Sequence, residues 1–276
     1  MSREVRFIKM HGTGNDFVMI DSMEERLSLG GEGTAAVCDR HRGIGADGLI
    51  LIEPSADHDF TMRYYNSDGG EAEMCGNGAR CAALFAHRKG IATADMNFDT
   101  MAGPVHAVVH GGTVTIDIGD VVDLRMGIKL DDMSYDLHYA VSGVPHAALI
   151  HESAKDVPQN EFIELARNVR FHPLFGEKGT NVNLVTPLCE EALYFRTYER
   201  GVEAETQACG TGAVAVSVIA ARLGLVSSPV ECETSGGDIL IVEFDPVDDG
   251  ACACRLTGPA VVSFDGSFFL ESYIGV

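Results

Sequence analysis

The feature that most constrains this chain is that it repeats itself. Arg63-Tyr64-Tyr65-Asn66 returns as Arg196-Thr197-Tyr198-Glu199, Cys75-Gly76-Asn77-Gly78-Ala79 as Cys209-Gly210-Thr211-Gly212-Ala213, and Thr100-Met101-Ala102-Gly103 as Thr234-Ser235-Gly236-Gly237. The blocks keep one order and offsets of 133 or 134 residues, which chance does not readily produce, so the sequence predicts a duplicated module. At 276 residues in all, each copy has the length of an ordinary domain. The boundary is expected between Gly119 and Tyr135, where Asp120, Asp123, Asp131 and Asp132 cluster without periodicity.

Each copy shares one layout: an apolar strand, a loop ending in Cys-Gly-x-Gly-Ala, a helix, then further strands. Thr113-Val114-Thr115-Ile116-Asp117-Ile118 alternates with period two, and Gly111-Gly112 supplies a hairpin turn from Val105–Val109, which predicts antiparallel sheet. Ala213 to Leu223 is apolar on every face, so that helix must be buried all round, with a sheet wrapped about it. Other helices are expected around Thr34–Asp39, Gln159–Val169 and part of the acidic linker, leaving strand in excess. The expected fold is α+β: two pseudo-symmetric duplicated domains, each a curled, mostly antiparallel sheet around a central helix.

Charge and composition narrow the function. Lys and Arg number 20 against 41 Asp and Glu, a net charge of -21, which works against sequence-independent binding to nucleic acid. No apolar run reaches the ~18 residues of a membrane span, and Met1 to Arg6 mixes charges without a signal-peptide pattern, so no membrane partner and a cytoplasmic location are expected. The 8 cysteines are then read as thiols rather than a disulfide framework.

A cysteine at a helix start has a defined chemistry, because the unpaired N–H groups and the helix dipole there favour thiolate. The N–H groups of Gly76, Asn77, Gly210 and Thr211 can also bind an anion, and the glycines let a ligand approach the backbone. If two such helix ends converge, a carboxylate held between them has a sulfur on either side of its α-carbon, a two-base geometry for inverting a stereocentre. The competing readings are a small buried residue at a tight strand-to-helix junction, and metal binding. Metal is disfavoured, since no Cys-x-x-Cys exists and Cys252-x-Cys254 would put two sulfurs on one sheet face without a second pair. Cys38, Cys81, Cys189 and Cys232 are read as core packing.

Nearly the whole chain resembles the diaminopimelate epimerase family. The resemblance rests on Lys9-Met10-His11-Gly12-Thr13-Gly14-Asn15-Asp16-Phe17, on Asp39 to Gly48, on Tyr65-Asn66-Ser67-Asp68-Gly69 leading to Cys75–Cys81, and on Pro145-His146, Gly179-Thr180-Asn181-Val182 and Tyr198-Glu199-Arg200-Gly201 followed by Glu205–Gly210. It implies a cofactor-independent isomerase, with no metal, that interconverts LL- and meso-2,6-diaminopimelate for lysine and peptidoglycan precursor synthesis. It places the active site in a cleft between two domains, 1–120 with 264–276 and 121–263, because the family's last strand returns to the first domain. Cys75 and Cys209 fall on the catalytic thiolate and thiol, which exchange roles with direction. His146 and Glu199 fall on residues that assist thiol deprotonation or orient the substrate. Asn15, Asn66, Asn181, Glu199 and Arg200 fall on substrate contacts, the Arg200 fork suiting a distal carboxylate.

Gly48 and Val144 depart from some members, which have Gln and Asn there, so the distal contacts are the least constrained part of the transfer. The alternatives are a racemase of another amino acid, such as histidine, on the same scaffold, and a non-catalytic amino-acid-binding module. Retention of Arg200 argues against the first, since a substrate without a second carboxylate would leave it unpaired. The expected partner is small-molecule diaminopimelate, and a homodimer is carried as the expected assembly.

Overall fold

The structure is a computed structural model that describes residues 3–130 and 136–273. It divides into two compact units, Met1–Ile116 with Gly258–Val276, and Asp117–Thr257. The first unit opens with β1 (Glu4–Gly12), β2 (Asn15–Asp21), α1 (Gly30–Cys38), β3 (Gly48–Glu53), β4 (Phe60–Asn66) and the short β5 (Glu71–Ala72). It continues with α2 (Gly76–Lys89), β6 (Asp95–Thr100), β7 (Gly103–His110) and the start of β8 (Thr113–Ile128). β1 is antiparallel to β2, β2 parallel to β3 across the α1 crossover, and β3 antiparallel to β4. β4 is then parallel to β6 across the α2 crossover, and β6, β7 and β8 form an antiparallel meander.

The second unit repeats that wiring. It comprises the rest of β8, then β9 (Leu137–Ser142), β10 (Val144–Ile150), α3 (Gln159–Arg170), β11 (Asn181–Cys189) and β12 (Ala192–Glu199). β13 (Ala204–Thr206), α4 (Gly210–Arg222), β14 (Val230–Thr234), β15 (Ile239–Val247) and most of β16 (Gly250–Pro259) complete it. β9 is antiparallel to β10, β10 parallel to β11 across α3, and β12 parallel to β14 across α4. β17 (Val261–Phe269) pairs antiparallel with β1, returning the chain to the first unit.

The central helices are the packing solution to two apolar sheet faces. Asn77 through Ala86 of α2 are all buried, and the helix contacts β1, β2, β3, β4 and β7. In α4, Gly210 and Gly212 through Ala220 are buried against β9 to β12, β14 and β15, as an all-round apolar helix requires. α2 stops at Gly90, whose left-handed φ of 71° lets its N–H reach the carbonyls of Ala86 and His87. A second core layer lies outside each sheet: Val18, Ile20, Leu49 and Leu51 pack with Val37 of α1, and Leu149, Val182 and Leu184 with Phe162 and Ala166 of α3. None of the described helices is long and apolar enough to cross a membrane.

Five expectations need correction. The unit boundaries fall at 116/117 and 257/258 rather than 120/121 and 263/264, because β8 and β16 run unbroken through the change: Thr257 still pairs with Ile241, whereas Ala260 N–H bonds Gly112. Residues 117–128 are strand, not linker helix, held by pairing of Val121 and Val122 with β9; Asp131, Asp132 and Tyr135 lie outside the described residues. Helix α1 starts at Gly30, four residues before the expected Thr34, and its glycines hide it from a propensity reading. One of them is required: a Cβ on Gly33 would lie 2.7 Å from the Tyr273 carbonyl oxygen. Finally, Cys189 is exposed at the turn end of β11, not core, and a left-handed Ala253 interrupts the alternation that was to align Cys252 with Cys254, of which only the latter is buried.

Candidate active site

In the first unit Cys75 is the N-cap of α2, with extended φ and ψ of -140° and 120° that bring the chain off β5 and into the helix. Gly78 permits this turn to seat on the sheet, since a Cβ there would lie 2.9 Å from Ile50 Cδ1 and 3.2 Å from Met62 Cε. The Cys75 thiol donates to Asn15 Oδ1 at 3.5 Å, and Asn77 Nδ2 reaches the same oxygen at 3.4 Å. Asn15 is held from behind by Asp47, whose Oδ2 accepts from Asn15 Nδ2 at 2.9 Å. Arg40 bridges Asp47 and Asp16 at 2.7 and 2.8 Å, and the buried Lys9 pairs with Asp16 at 2.7 Å. Burial alone would raise the Asp16 carboxyl, but the hydrogen bonds from Arg40 and Lys9 hold it well below the usual carboxylate range.

Arg80, fully buried one turn into α2, donates to Asn77 Oδ1 at 2.8 Å and reaches Gly76 O at 3.4 Å. Its fixed positive charge stands in the first turns of the helix that Cys75 caps, adding to the dipole that favours thiolate. Asn66 lies apart from this cluster: it is exposed at the end of β4, its amide N–H bonds Gly70 O, and its Oδ1 accepts from Tyr64 at 2.7 Å. Tyr64 also accounts for Gly48, where a Cβ would lie 2.6 Å from the tyrosine Cε2 and 2.6 Å from the Tyr65 carbonyl.

In the second unit Cys209 is the N-cap of α4 with nearly the same backbone angles, -129° and 113°. Its sulfur lies 3.6 Å from Thr211 Oγ1 and is hydrogen-bonded to Glu199. Burial pushes the Glu199 carboxyl up, against the hydrogen bonds from Thr206 (2.5 Å) and Cys209. His146, fully buried on β10, lies 3.0 Å from Thr211 Oγ1 and 3.4 Å from Asn181 Nδ2. Burial pulls its imidazole down to about 3, with the Arg200 charge adding to the effect, so the ring is neutral at physiological pH.

Asn181 is turned by the Arg200 backbone N–H, which donates to its Oδ1 at 2.7 Å. The Arg200 guanidinium reaches only Gly179 O, at 3.5 Å, and among the described residues no carboxylate lies within ion-pair distance of it. Cys209, Glu199, Thr211, His146, Asn181 and Arg200 thus form one connected cluster, as Cys75, Asn15 and Asn77 do in the first unit. Sequence reading missed the supporting roles of Asp47 and Arg80. The signal for Arg80 was available, as a cation inside an otherwise apolar helix face.

The family model described as diaminopimelate epimerase matches residues 7–124 and 138–261, once in each copy of the repeat. The chain belongs to the diaminopimelate epimerase family. Over 290 residues it is 38% identical to a diaminopimelate epimerase of Aquifex aeolicus, covering 95% of this chain and 97% of that relative. Over 280 residues it is 40% identical to one from Archaeoglobus fulgidus, covering 95% of each. Among solved structures, a hydroxyproline epimerase from Agrobacterium vitis shares the fold with a TM-score of 0.70 at 15% identity, over 96% of this chain and 91% of that one. A PhzF-family phenazine biosynthesis protein from Bacillus anthracis does so with a TM-score of 0.69 at 12% identity, over 97% and 99%. At such identities the likeness to these structures is one of fold alone.

Proposed function

We propose that this protein interconverts LL- and meso-2,6-diaminopimelate by moving the α-proton between Cys75 and Cys209. The observation that carries the reading is that both cysteines cap buried helices at equivalent positions of a duplicated module, each inside its own hydrogen-bonded cluster. An α-proton is too weakly acidic for an ordinary thiolate in water, so the reaction needs help with the charge that develops as the proton leaves. Helix-terminal N–H groups at Gly76, Asn77, Gly210 and Thr211 would hold the α-carboxylate and stabilise that charge. In the proposed cycle one sulfur, as thiolate, takes the proton from one face of the α-carbon while the other, as thiol, delivers one to the opposite face. Glu199, with its raised carboxyl beside Cys209, would take up the thiol proton when Cys209 becomes the base.

Arg200 would bind the distal carboxylate, with Asn66, Asn181 and Asn15 among the substrate contacts. Its guanidinium and the absence of a carboxylate partner among the described residues favour a dicarboxylic substrate over histidine. To the same reading belong a cytoplasmic location, which the 8 free thiols favour, and a homodimer, which sedimentation velocity would read directly.

Incubation with LL-diaminopimelate in deuterium oxide tests the proposal. Formation of the meso isomer carrying α-deuterium is expected. An unexchanged α-proton would leave a binding module in place of an enzyme.

A further inference from the structure

The cluster around Cys209 contains two side chains whose placement is not explained by substrate contact, the Asn183 amide and the Thr211 hydroxyl. Asn183 is fully buried on β11, and its amide orientation is forced. The Ala147 carbonyl can only accept, so the atom 2.9 Å from it is Nδ2, and Oδ1 receives the Thr197 hydroxyl at 2.8 Å. The second Nδ2 hydrogen then faces His146 Nδ1 at 3.3 Å, which makes Nδ1 the acceptor and puts the ring proton on Nε2. Nε2 has Thr211 Oγ1 at 3.0 Å to receive that proton. Its other neighbour, Asn181 Nδ2 at 3.4 Å, is itself a donor, because Asn181 Oδ1 is taken by the Arg200 N–H. The opposite tautomer would set Nδ1–H against an N–H with no acceptor. An imidazolium would do the same, beside the Arg200 charge and away from water.

The repeat shows that the fold does not need these polar groups. His146 pairs with Asn181 on β11 as Phe17 pairs with Gly48 on β3, and Asn183 pairs with Thr197 on β12 as Ile50 pairs with Tyr64 on β4. The first unit therefore carries Phe17, Ile50 and Tyr64 where the second carries His146, Asn183 and Thr197, and there Phe17 and Tyr64 pack edge to face at 5.8 Å. A Cβ on Gly78 would meet Ile50, and one on Gly212 would meet Asn183 Oδ1 at 3.0 Å, so the two positions face the same point of their helices. One scaffold position thus holds an apolar residue in one copy and a buried amide in the other.

We propose that Asn183 and Thr211 are positioning residues for Cys209: Asn183 fixes His146 as the neutral Nε2–H tautomer, and that ring turns the Thr211 hydroxyl so that its hydrogen points at the Cys209 sulfur and supports the thiolate. In this arrangement His146 is a hydrogen-bond donor and not a base, and no proton leaves it during the reaction. The Thr211 hydroxyl accepts from Nε2–H, which leaves its single hydrogen for Sγ, 3.6 Å away. A hydroxyl donor to a thiolate is a charge-assisted hydrogen bond, among the stronger kinds. The proposal rests on the reading of Cys209 as a catalytic thiol, but the ring state and the thiol's reactivity can be measured without substrate.

Nitrogen-15 spectra of the full-length protein labelled at histidine, with His146→Gln used to assign the resonance, are expected to show protonated Nε2 and bare Nδ1 on His146 from pH 5 to 9. Asn183→Asp places an acceptor at Nδ1 and is expected to swap the tautomer. If that variant does not fold, the wild-type ring state decides, and a proton on Nδ1 overturns the assignment of Asn183. In a Cys75→Ala background, the pH profile of Cys209 alkylation by iodoacetamide is expected to move up by about one unit or more in Thr211→Val, with Thr211→Ser restoring it. Glu199, hydrogen-bonded to the sulfur, and Arg200 are unchanged in all of these proteins. An alkylation profile unmoved by Thr211→Val overturns the role of Thr211. With both cysteines present, Thr211→Val is expected to lower kcat roughly tenfold to a hundredfold with little change in KM. A wild-type protein that leaves the α-proton of diaminopimelate unexchanged overturns the functional reading instead, and is distinguished by an intact ring state and alkylation profile.

Discussion

Asp47 determines which way round the Asn15 amide sits. By accepting from Nδ2 at 2.9 Å it leaves Oδ1 toward the Cys75 thiol, and Arg40 keeps Asp47 in place at 2.7 Å. The first sulfur is therefore served by an ion network reaching back through Asp16 to Lys9.

Asp47→Ala releases that amide. The rate of α-proton exchange is expected to fall about tenfold, the worth of one hydrogen bond at the reacting group. Stability should fall by no more than about 1 kcal/mol, because the Asp47 and Arg40 side chains are about half exposed. Kinetics and urea titration of one preparation check both, and an undiminished rate would remove Asp47 from the site.

A duplicated ion pair offers an internal control on burial. Arg196 and Glu205 form a two-pronged pair with side chains 7% and 8% exposed, whereas the equivalent Arg63 and Glu71 are 39% and 31% exposed. Glu205→Ala strands a buried guanidinium and is expected to cost about 3 to 5 kcal/mol. Glu71→Ala should cost about 1 kcal/mol or less. Equilibrium unfolding of the two variants should separate them clearly, and equal losses would contradict the burial difference.

Acid stability should carry the mark of His146. Its folded-state value of about 3 lies below the ordinary 6.5, so between those limits the unfolded chain binds a proton that the folded chain does not. Stability from this group is thus complete above pH 6.5 and declines by about 1.4 kcal/mol per pH unit as pH falls toward 3. His146→Gln should flatten that part of the stability curve, whatever it does to the rate. An unchanged slope between pH 6 and 4 would show that the ring is not held neutral.

Arg200→Met is expected to remove most turnover of diaminopimelate while leaving the thermal midpoint nearly unchanged, since the guanidinium makes only a long contact to Gly179 O. The parent should turn over lysine far less well than diaminopimelate. Equal rates on the two substrates would instead point to a broader racemase.

What was legible in the sequence was whatever the duplication or a local period encodes. Cys75 and Cys209 could be placed at helix starts because the glycines beside them are needed for local geometry, and α4 because its composition admits only burial. Helix α1 was clipped because the reason for Gly33 lies under a carbonyl at Tyr273, 240 residues away in the chain. β8 was misread because its distal half has no alternation of its own and owes its extension to β9. Asp47 and Asn183 act on partners 32 and 37 residues away, across parallel crossovers, so no local pattern marks them. Asn183 did leave a trace: it stands two residues from Asn181 on a strand that is otherwise apolar at its start, and that spacing puts both amides on one face.

The enclosure of α2 and α4 has a dynamic corollary. A helix covered along nearly its whole length by the sheet of its own unit cannot fray from the middle or slide along its axis without opening that sheet. The amides of Ala82 to Ala86 and of Ala215 to Ala220 are therefore expected among the slowest to exchange with solvent deuterium, opening only when the unit as a whole unfolds. The two cysteines proposed to carry the chemistry are thus each anchored to the segment expected to open most slowly in its unit, so a motion that admits a substrate is expected to come from elements other than α2 and α4.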